Sequence, residues 1–186
     1  MHKNIVTLYH SGFGHTEHQA KSVHGGATSV EGVNSLLVKV SDIEKHWANL
    51  DKADAIIFGS PTYMGSLSAK FKEFMEATSP RWYEQKWKDK YAAGFSNSQS
   101  LSGDKLNSLM QLVIFAAQHS MIWISLGQLP DASSSIGAKD HTNRIGSYIG
   151  AMAQSDPDSK SPSEGDLETA RLLGVRVAKL VVQKSK

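Results

Sequence analysis

The segment Ile5-Val6-Thr7-Leu8-Tyr9 runs through His10 into Ser11-Gly12-Phe13-Gly14-His15-Thr16, and a helical pattern follows at once. A short apolar strand, a small hydroxyl- and glycine-bearing turn and a helix, in that order, bring backbone N–H groups and the positive end of a helix dipole to the carboxyl edge of a sheet. Such an edge is a ready site for a phosphate. The turn contains neither Lys nor Arg, so amides, hydroxyls and His15 would have to hold any dianion. The Gly-x-x-x-x-Gly-Lys loop that serves nucleoside triphosphates is missing. The same residues also suit an ordinary strand–turn–helix junction with no ligand, and the turn alone does not separate the two readings.

The rest of the chain repeats this alternation. Strand-like runs fall at Ile5–Tyr9, Ser35–Val40, Ala55–Gly59, Tyr91–Ser96 and Met121–Leu126, several of them nearly continuous in apolar residues, as parallel strands covered on both faces require. Between them, Ala20, Val23, Ala27 and Val30 recur at helical spacing, as do Leu67, Phe71, Phe74 and Thr78, and then Leu106, Leu109, Val113 and Ala116. A last helix is expected to open on Ser161-Pro162-Ser163-Glu164, with capping-box spacing and proline at its first position, and to bury Leu167, Ala170, Gly174, Val177 and Val181. Five alternations predict an α/β fold: one doubly wound, five-stranded parallel sheet of order 2-1-3-4-5, in a single domain over 1–186. Residues 127–160, rich in Ser, Asp and Gly, break the rhythm, with a short extra strand expected near 147–153.

Composition excludes several classes. A net charge of +2 gives no reason to expect nucleic acid or a membrane surface, and with no cysteine there are no disulfides, thiolate metal sites or Cys nucleophiles. The longest apolar runs are strand-sized, so a soluble, cytoplasmic protein is expected. His10, His15 and His18 lie close in sequence but lack a carboxylate or cysteine at ligand spacing, and no metal is assigned. Ser60 is followed by Pro61 rather than set in Gly-x-Ser-x-Gly, which argues against a hydrolase nucleophile.

Ligands of an open parallel sheet bind beyond the carboxyl ends of its strands. Three loops meet that condition: Ser11–Thr16, the Gly59-Ser60-Pro61-Thr62-Tyr63-Met64-Gly65-Ser66 segment after the third strand, and Ser96-Asn97-Ser98-Gln99-Ser100-Leu101-Ser102-Gly103 after the fourth. A phosphate loop without a cation, together with a loop offering amides and a flat ring, fits flavin mononucleotide (FMN).

With these loops, and with Gln118-His119-Ser120-Met121, the chain resembles the flavodoxin-like NAD(P)H:quinone oxidoreductases, the family first named for tryptophan-repressor-binding protein. The resemblance implies a flavodoxin-like fold, FMN as cofactor, NADH or NADPH as electron donor, and a quinone or similar aromatic acceptor reduced by two electrons in ping-pong fashion. It implies that Ser11, Gly12, Phe13, Gly14, His15 and Thr16 surround the FMN phosphate, and that Pro61, Thr62, Tyr63, Met64 and Gly65 line the ring. Ser96, Asn97, Ser98, Gln99, Ser100 and Ser102 then form the third flavin loop. It places Phe13, Trp82 and His119 at the substrate, with His119 as the catalytic residue, and implies a homodimer or homotetramer. The chain departs from the family's pattern in its short connection from Val40 to Ala55 and in Gln99 and Leu101 of the third loop. Three alternatives stay open: a one-electron flavodoxin carrier, an NAD(P)H-dependent FMN reductase, and a flavin-free interaction module. Arg144, in the late loop, is the candidate for the 2′-phosphate of NADPH.

Overall fold

The computed structural model describes residues 2–131, 138–157 and 161–183. Its sheet is built on β1 (Lys3–Tyr9), β2 (Val33–Lys39), β3 (Ala55–Tyr63) and β5 (Tyr91–Ser98), all parallel, with β2 beside β1, β1 beside β3 and β3 beside β5. Alternate residues of each strand go to opposite faces. Val6, Leu8, Ile56, Phe58 and Ala92 join one apolar cluster, while Ile5, Tyr9, Ala55, Ile57, Ala93 and Phe95 join the other. That division is why the strands read as continuous apolar runs.

Helices cover both faces. On one side lie α1 (His15–Thr28) and α6 (Glu164–Gln183). They pack closely because Gly26 meets the Arg171 carbonyl and Gly174 meets the Val23 carbonyl, positions where any Cβ would collide. On the other side lie a 3-10 turn over Val40–Lys45, α2 (Trp47–Lys52), α3 (Ala69–Ala77), α4 (Ser79–Tyr83) and α5 (Lys105–Gln118). The buried stripe of α5 is Leu109, Leu112, Phe115 and Ala116; Leu106, expected in the core, is exposed.

The fifth strand differs from expectation. It is split into β6 (Ile122–Trp123), which pairs with the start of β5 at Tyr91 and Ala92, and β7 (Ala151–Gln154), which pairs with its end at Phe95–Ser98. The principal order is β2-β1-β3-β5-β6, the expected five-position topology with the outer place shared by two segments. The chain leaves the sheet where Gly127 turns at φ 68 against the Arg176 guanidinium, and Arg176 donates to the Ser125 carbonyl. It returns under the Trp123 indole, which donates to the Ile149 carbonyl. Helix α6 also starts later than its capping-box spacing implies. Ser161 accepts the Asp156 N–H instead, and Pro162 precedes the helix. Among the described residues no helix is long and apolar enough to cross a membrane.

Candidate functional site

The carboxyl ends of β1, β3 and β5 open onto one cleft of about 1040 Å³. From the first loop it takes Ser11, Phe13, His15 and Thr16. Ser11 organises that loop, its Oγ accepting the N–H groups of Gly14 at 3.1 Å and Glu17 at 3.2 Å. Gly14 caps α1 in the left-handed region at φ 92 with open space beside it, so its requirement is conformational rather than steric. Gly14→Ala should therefore cost about 1–2 kcal/mol of loop conformation. We expect FMN affinity to fall about tenfold with little change in thermal stability; unchanged FMN binding would show that the turn does not hold the ligand.

The second loop is a hairpin rather than a free loop. β3 runs on past Gly59 to Tyr63, and Met64 (φ 48) with Gly65 (φ 75) makes a two-residue turn into β4 (Ser66–Leu67), pairing Tyr63 with Ser66. Pro61, Thr62, Tyr63, Met64 and Gly65 all line the cleft, with Met64 fully exposed at its rim. The Tyr63 ring meets Phe13 edge-on at 6.3 Å, and its hydroxyl takes the Gly12 N–H. Burial raises the Tyr63 phenol above its ordinary range, the Gly12 N–H pulls weakly the other way, and the hydroxyl stays neutral. Gly12 itself underlies this contact, since a Cβ there would strike the Tyr63 hydroxyl.

Ser96, expected to meet the flavin, is wholly buried beneath the floor. Its hydroxyl donates to the Ser60 carbonyl at 2.8 Å, which leaves Thr62 Oγ1 to donate to Ser96 at 2.8 Å and Ser108 to donate to Thr62 at 2.7 Å. This chain of hydroxyls fixes Thr62 from below. Ser102 is likewise corrected: with Leu101, Leu106 and Tyr148 it borders a separate pocket, and the chain comes back to the cleft only at Gly103 and Asp104, both at φ 54.

Asn97, Ser98, Gln99 and Ser100 do line the cleft, joined by Gly103 and Asp104 and by a fourth segment, Ser155-Asp156-Pro157, that was not foreseen. Asn97 donates to Ser155 Oγ at 3.0 Å, while its buried Oδ1 has no partner among the described residues. Such an acceptor is matched by a ligand N–H, which the pyrimidine part of a flavin supplies. Among the described residues no Lys or Arg lines the cleft.

Three residues lie elsewhere than expected or were missed. Arg144 does not face the cleft: its guanidinium is buried in a two-pronged pair with Asp166 at 2.9 and 2.8 Å. His119 is not at the cleft either. It is 1% exposed, packed on Trp87 (4.6 Å) and Phe115 (4.9 Å), and with Trp82 it borders a second pocket over Thr78 and Met75. Thr78 Oγ1 donates to the Met75 carbonyl at 2.6 Å, so the 2.9 Å contact needs His119 Nε2–H as donor, and Nδ1 is left bare and buried. Burial pulls this imidazole down to about 4, so at neutral pH its one proton is committed to Thr78. Within one chain it cannot act as the proton donor at the flavin, and the role expected of it is corrected on that ground. The residue missed was Lys105, wholly buried behind the third loop with Nζ on Ser98 Oγ (2.8 Å), the Ser100 carbonyl (3.0 Å) and the Leu101 carbonyl (2.8 Å). A lysine in the first turn of a helix opposes the helix dipole, and that local misfit was the available signal.

A doubly wound parallel sheet with an amide- and hydroxyl-lined cleft at its carboxyl edge defines a flavodoxin-like nucleotide-binding protein. Residues 27–134 match the family described as NADPH-dependent FMN reductase. The chain is 41% identical over 181 residues to flavodoxin FldP of Pseudomonas aeruginosa, covering 94% of this chain and 95% of that protein. It is 31% identical to an NAD(P)H dehydrogenase (quinone) of Archaeoglobus fulgidus, covering 95% and 96%. The crystal structure of a flavodoxin, WrbA-like protein from Agrobacterium tumefaciens superposes with a TM-score of 0.75 at 43% identity, over 97% of this chain and 98% of that one. The chain belongs to the NADPH-dependent FMN reductase family, in its flavodoxin-like, WrbA-type branch, and FMN is its cofactor.

Proposed function

We propose that the protein is an FMN-dependent oxidoreductase that passes two electrons from NADH or NADPH to a quinone or similar aromatic acceptor. The observation that carries this reading is the size and shape of the cleft. At about 1040 Å³ it reaches the top of the range usual for a single ligand, roughly 300–1,000 Å³. One side of its rim is made of exposed apolar groups, Phe13 (83% exposed), Met64 and the edge of Tyr63, while Asp104 and Asp156 line the cleft elsewhere. Room for a second flat molecule, beside a rim that an aromatic can cover, suits donor and acceptor taking turns at one place.

When bound, FMN supplies the electron chemistry. The chain supplies the rest. The Ser11-organised turn and the start of α1 hold the phosphate through amides and hydroxyls. Thr62, fixed by Ser96 and Ser108, sets the level of the floor, and Asn97 offers an acceptor to the ligand's N–H. Phe13, Tyr63 and Met64 orient a planar partner and exclude water from its face. With His119 committed to Thr78, the proton that completes reduction of a quinone comes from solvent.

Anaerobic rapid mixing of FMN-loaded protein with NADH or NADPH, then with benzoquinone, tests this reading. Fast loss of flavin absorbance and equally fast return, with parallel double-reciprocal lines in steady state, is the expected result. The relative named flavodoxin favours the carrier alternative. Slow bleaching by either nicotinamide, with rapid one-electron exchange to a redox protein, would decide for it.

A further inference from the structure

Behind the third loop, every carbonyl oxygen from Ser98 to Leu101 is held from the protein side. The Ser155 N–H takes Ser98 at 3.0 Å, Gln154 Nε2 takes Gln99 at 3.1 Å, and Lys105 Nζ takes both Ser100 and Leu101. The C=O of a trans peptide points opposite to the N–H that follows it. The N–H groups of Gln99, Ser100 and Leu101 are therefore turned to the outer side of the loop, where Gln99 and Ser100 border the cleft. Lys105 makes more of these anchoring bonds than any other side chain, and all its acceptors are neutral.

The charges around it do not cancel. Asp166, at the start of α6, attracts the Lys105 ammonium but is already gripped by Arg144 from the late loop, which repels it. Asp104 precedes Lys105 in the turn and lies at the cleft. Within the buried trio of Lys105, Arg144 and Asp166, cations outnumber carboxylates by one.

We propose that Lys105 is the positioning residue of the flavin loop: its ammonium draws the loop carbonyls inward so that peptide N–H groups face the bound flavin, and its buried charge favours the reduced, anionic form. The inference rests on FMN occupying this cleft. Burial brings the Lys105 ammonium down to about 8, so it is charged at neutral pH and loses its proton as pH rises past that value. Two opposite slopes follow. FMN affinity weakens above about pH 8. The apoprotein's stability changes the other way: the folded form holds Lys105 less basic than the unfolded chain does, so the unfolded chain binds more protons, and Lys105's contribution rises with pH from about 8 toward the ordinary lysine range.

The test compares wild type with Lys105→Met and Lys105→Arg, reading FMN affinity and the two-electron midpoint potential of bound FMN over roughly pH 7 to 9.5, with urea unfolding of each apoprotein alongside. Lys105→Met is expected to bind FMN about 10- to 100-fold more weakly, to show no change in affinity near pH 8, and to have a more negative potential. Lys105→Arg is expected to recover part of the potential. FMN affinity within twofold of wild type, with the same potential and pH profile, would overturn the proposal. Should Lys105→Met fail to fold, the wild-type profile decides, since affinity that stays flat through pH 8 contradicts it. Wild-type protein that binds no FMN would overturn the reading of the cleft, and this proposal with it.

Discussion

Replacing Asp166 with Ala should cost about 3–5 kcal/mol of folding stability, because it leaves a buried guanidinium without its counter-charge. Asp166 is 1% exposed, and its two oxygens take Arg144 Nε and Nη2 as well as the Gln154 N–H at 2.8 Å. It also sits in the first turn of α6, where the helix dipole favours a carboxylate. Its removal strands Arg144, frees the end of β7 and leaves Lys105 and Arg144 as two buried cations with no anion between them. For a chain of this size the loss corresponds to a fall in melting temperature of roughly 10 °C. Because Gln154 anchors the Gln99 carbonyl and Ser155 anchors Ser98, FMN affinity should fall as well. Asp166→Asn keeps acceptor oxygen but not charge, and should lie between the two. Thermal melts and FMN titrations of both variants check this. A loss below about 1 kcal/mol for Asp166→Ala would mean that the pair behaves like a surface ion pair and that water reaches Arg144.

What the sequence discloses and what it hides divide along physical lines. The sheet was legible because burial on both faces forces continuous apolar runs such as Ala55-Ile56-Ile57-Phe58, and helices between parallel strands follow from connectivity. The place of the first and second loops was legible from the strand ends, but Ser11–Thr16 alone suited a ligand-free turn equally well, and the hairpin of the second loop depends on Tyr63 pairing with Ser66. The split fifth strand was not legible. Met121–Leu126 is apolar enough to be one strand, and only the arrival of Ala151–Gln154 beside Phe95–Ser98 displaces its second half. Ser96 and Ser102 look alike in a polar loop. Which one drops under the floor and which borders another pocket depends on tertiary partners, the hydroxyls of Thr62 and Ser108 for the one and Leu106 and Tyr148 for the other. Leu106 and Leu109 both fit a helical stripe, and the turn before α5 sets which faces inward. Lys105 and Arg144 show the same limit. A cation's partner is a tertiary fact, and nothing local ties Arg144 to Asp166, 22 positions away.

His119 provides the second large effect. Its Nε2–H is spent on Thr78, and Nδ1 faces no acceptor among the described residues, with the Trp87 and Phe115 rings packed around it. Protonating Nδ1 would place a charge in that apolar box, which is why burial holds the imidazole near 4. An unfolded chain titrates the same residue near its ordinary 6.5. Between those values the unfolded state binds the extra proton, so the stability contributed by His119 is complete above about pH 6.5 and drains away as pH falls through 4. The ceiling is about 3 kcal/mol. A cation stacked on Trp87 would recover about 1 kcal/mol of it, leaving a loss of about 2 kcal/mol that dominates any surface effect in this range. His119→Gln keeps a donor for Thr78 and removes the titration. In urea unfolding at a series of pH values, wild type should lose stability toward pH 4 relative to this variant, with the two curves parallel above pH 6.5. Curves that stay parallel throughout would show that the imidazole takes up its proton as readily in the folded state as in the unfolded chain, which would return His119 to candidacy as an acid and require an acceptor for Nδ1 supplied from outside this chain.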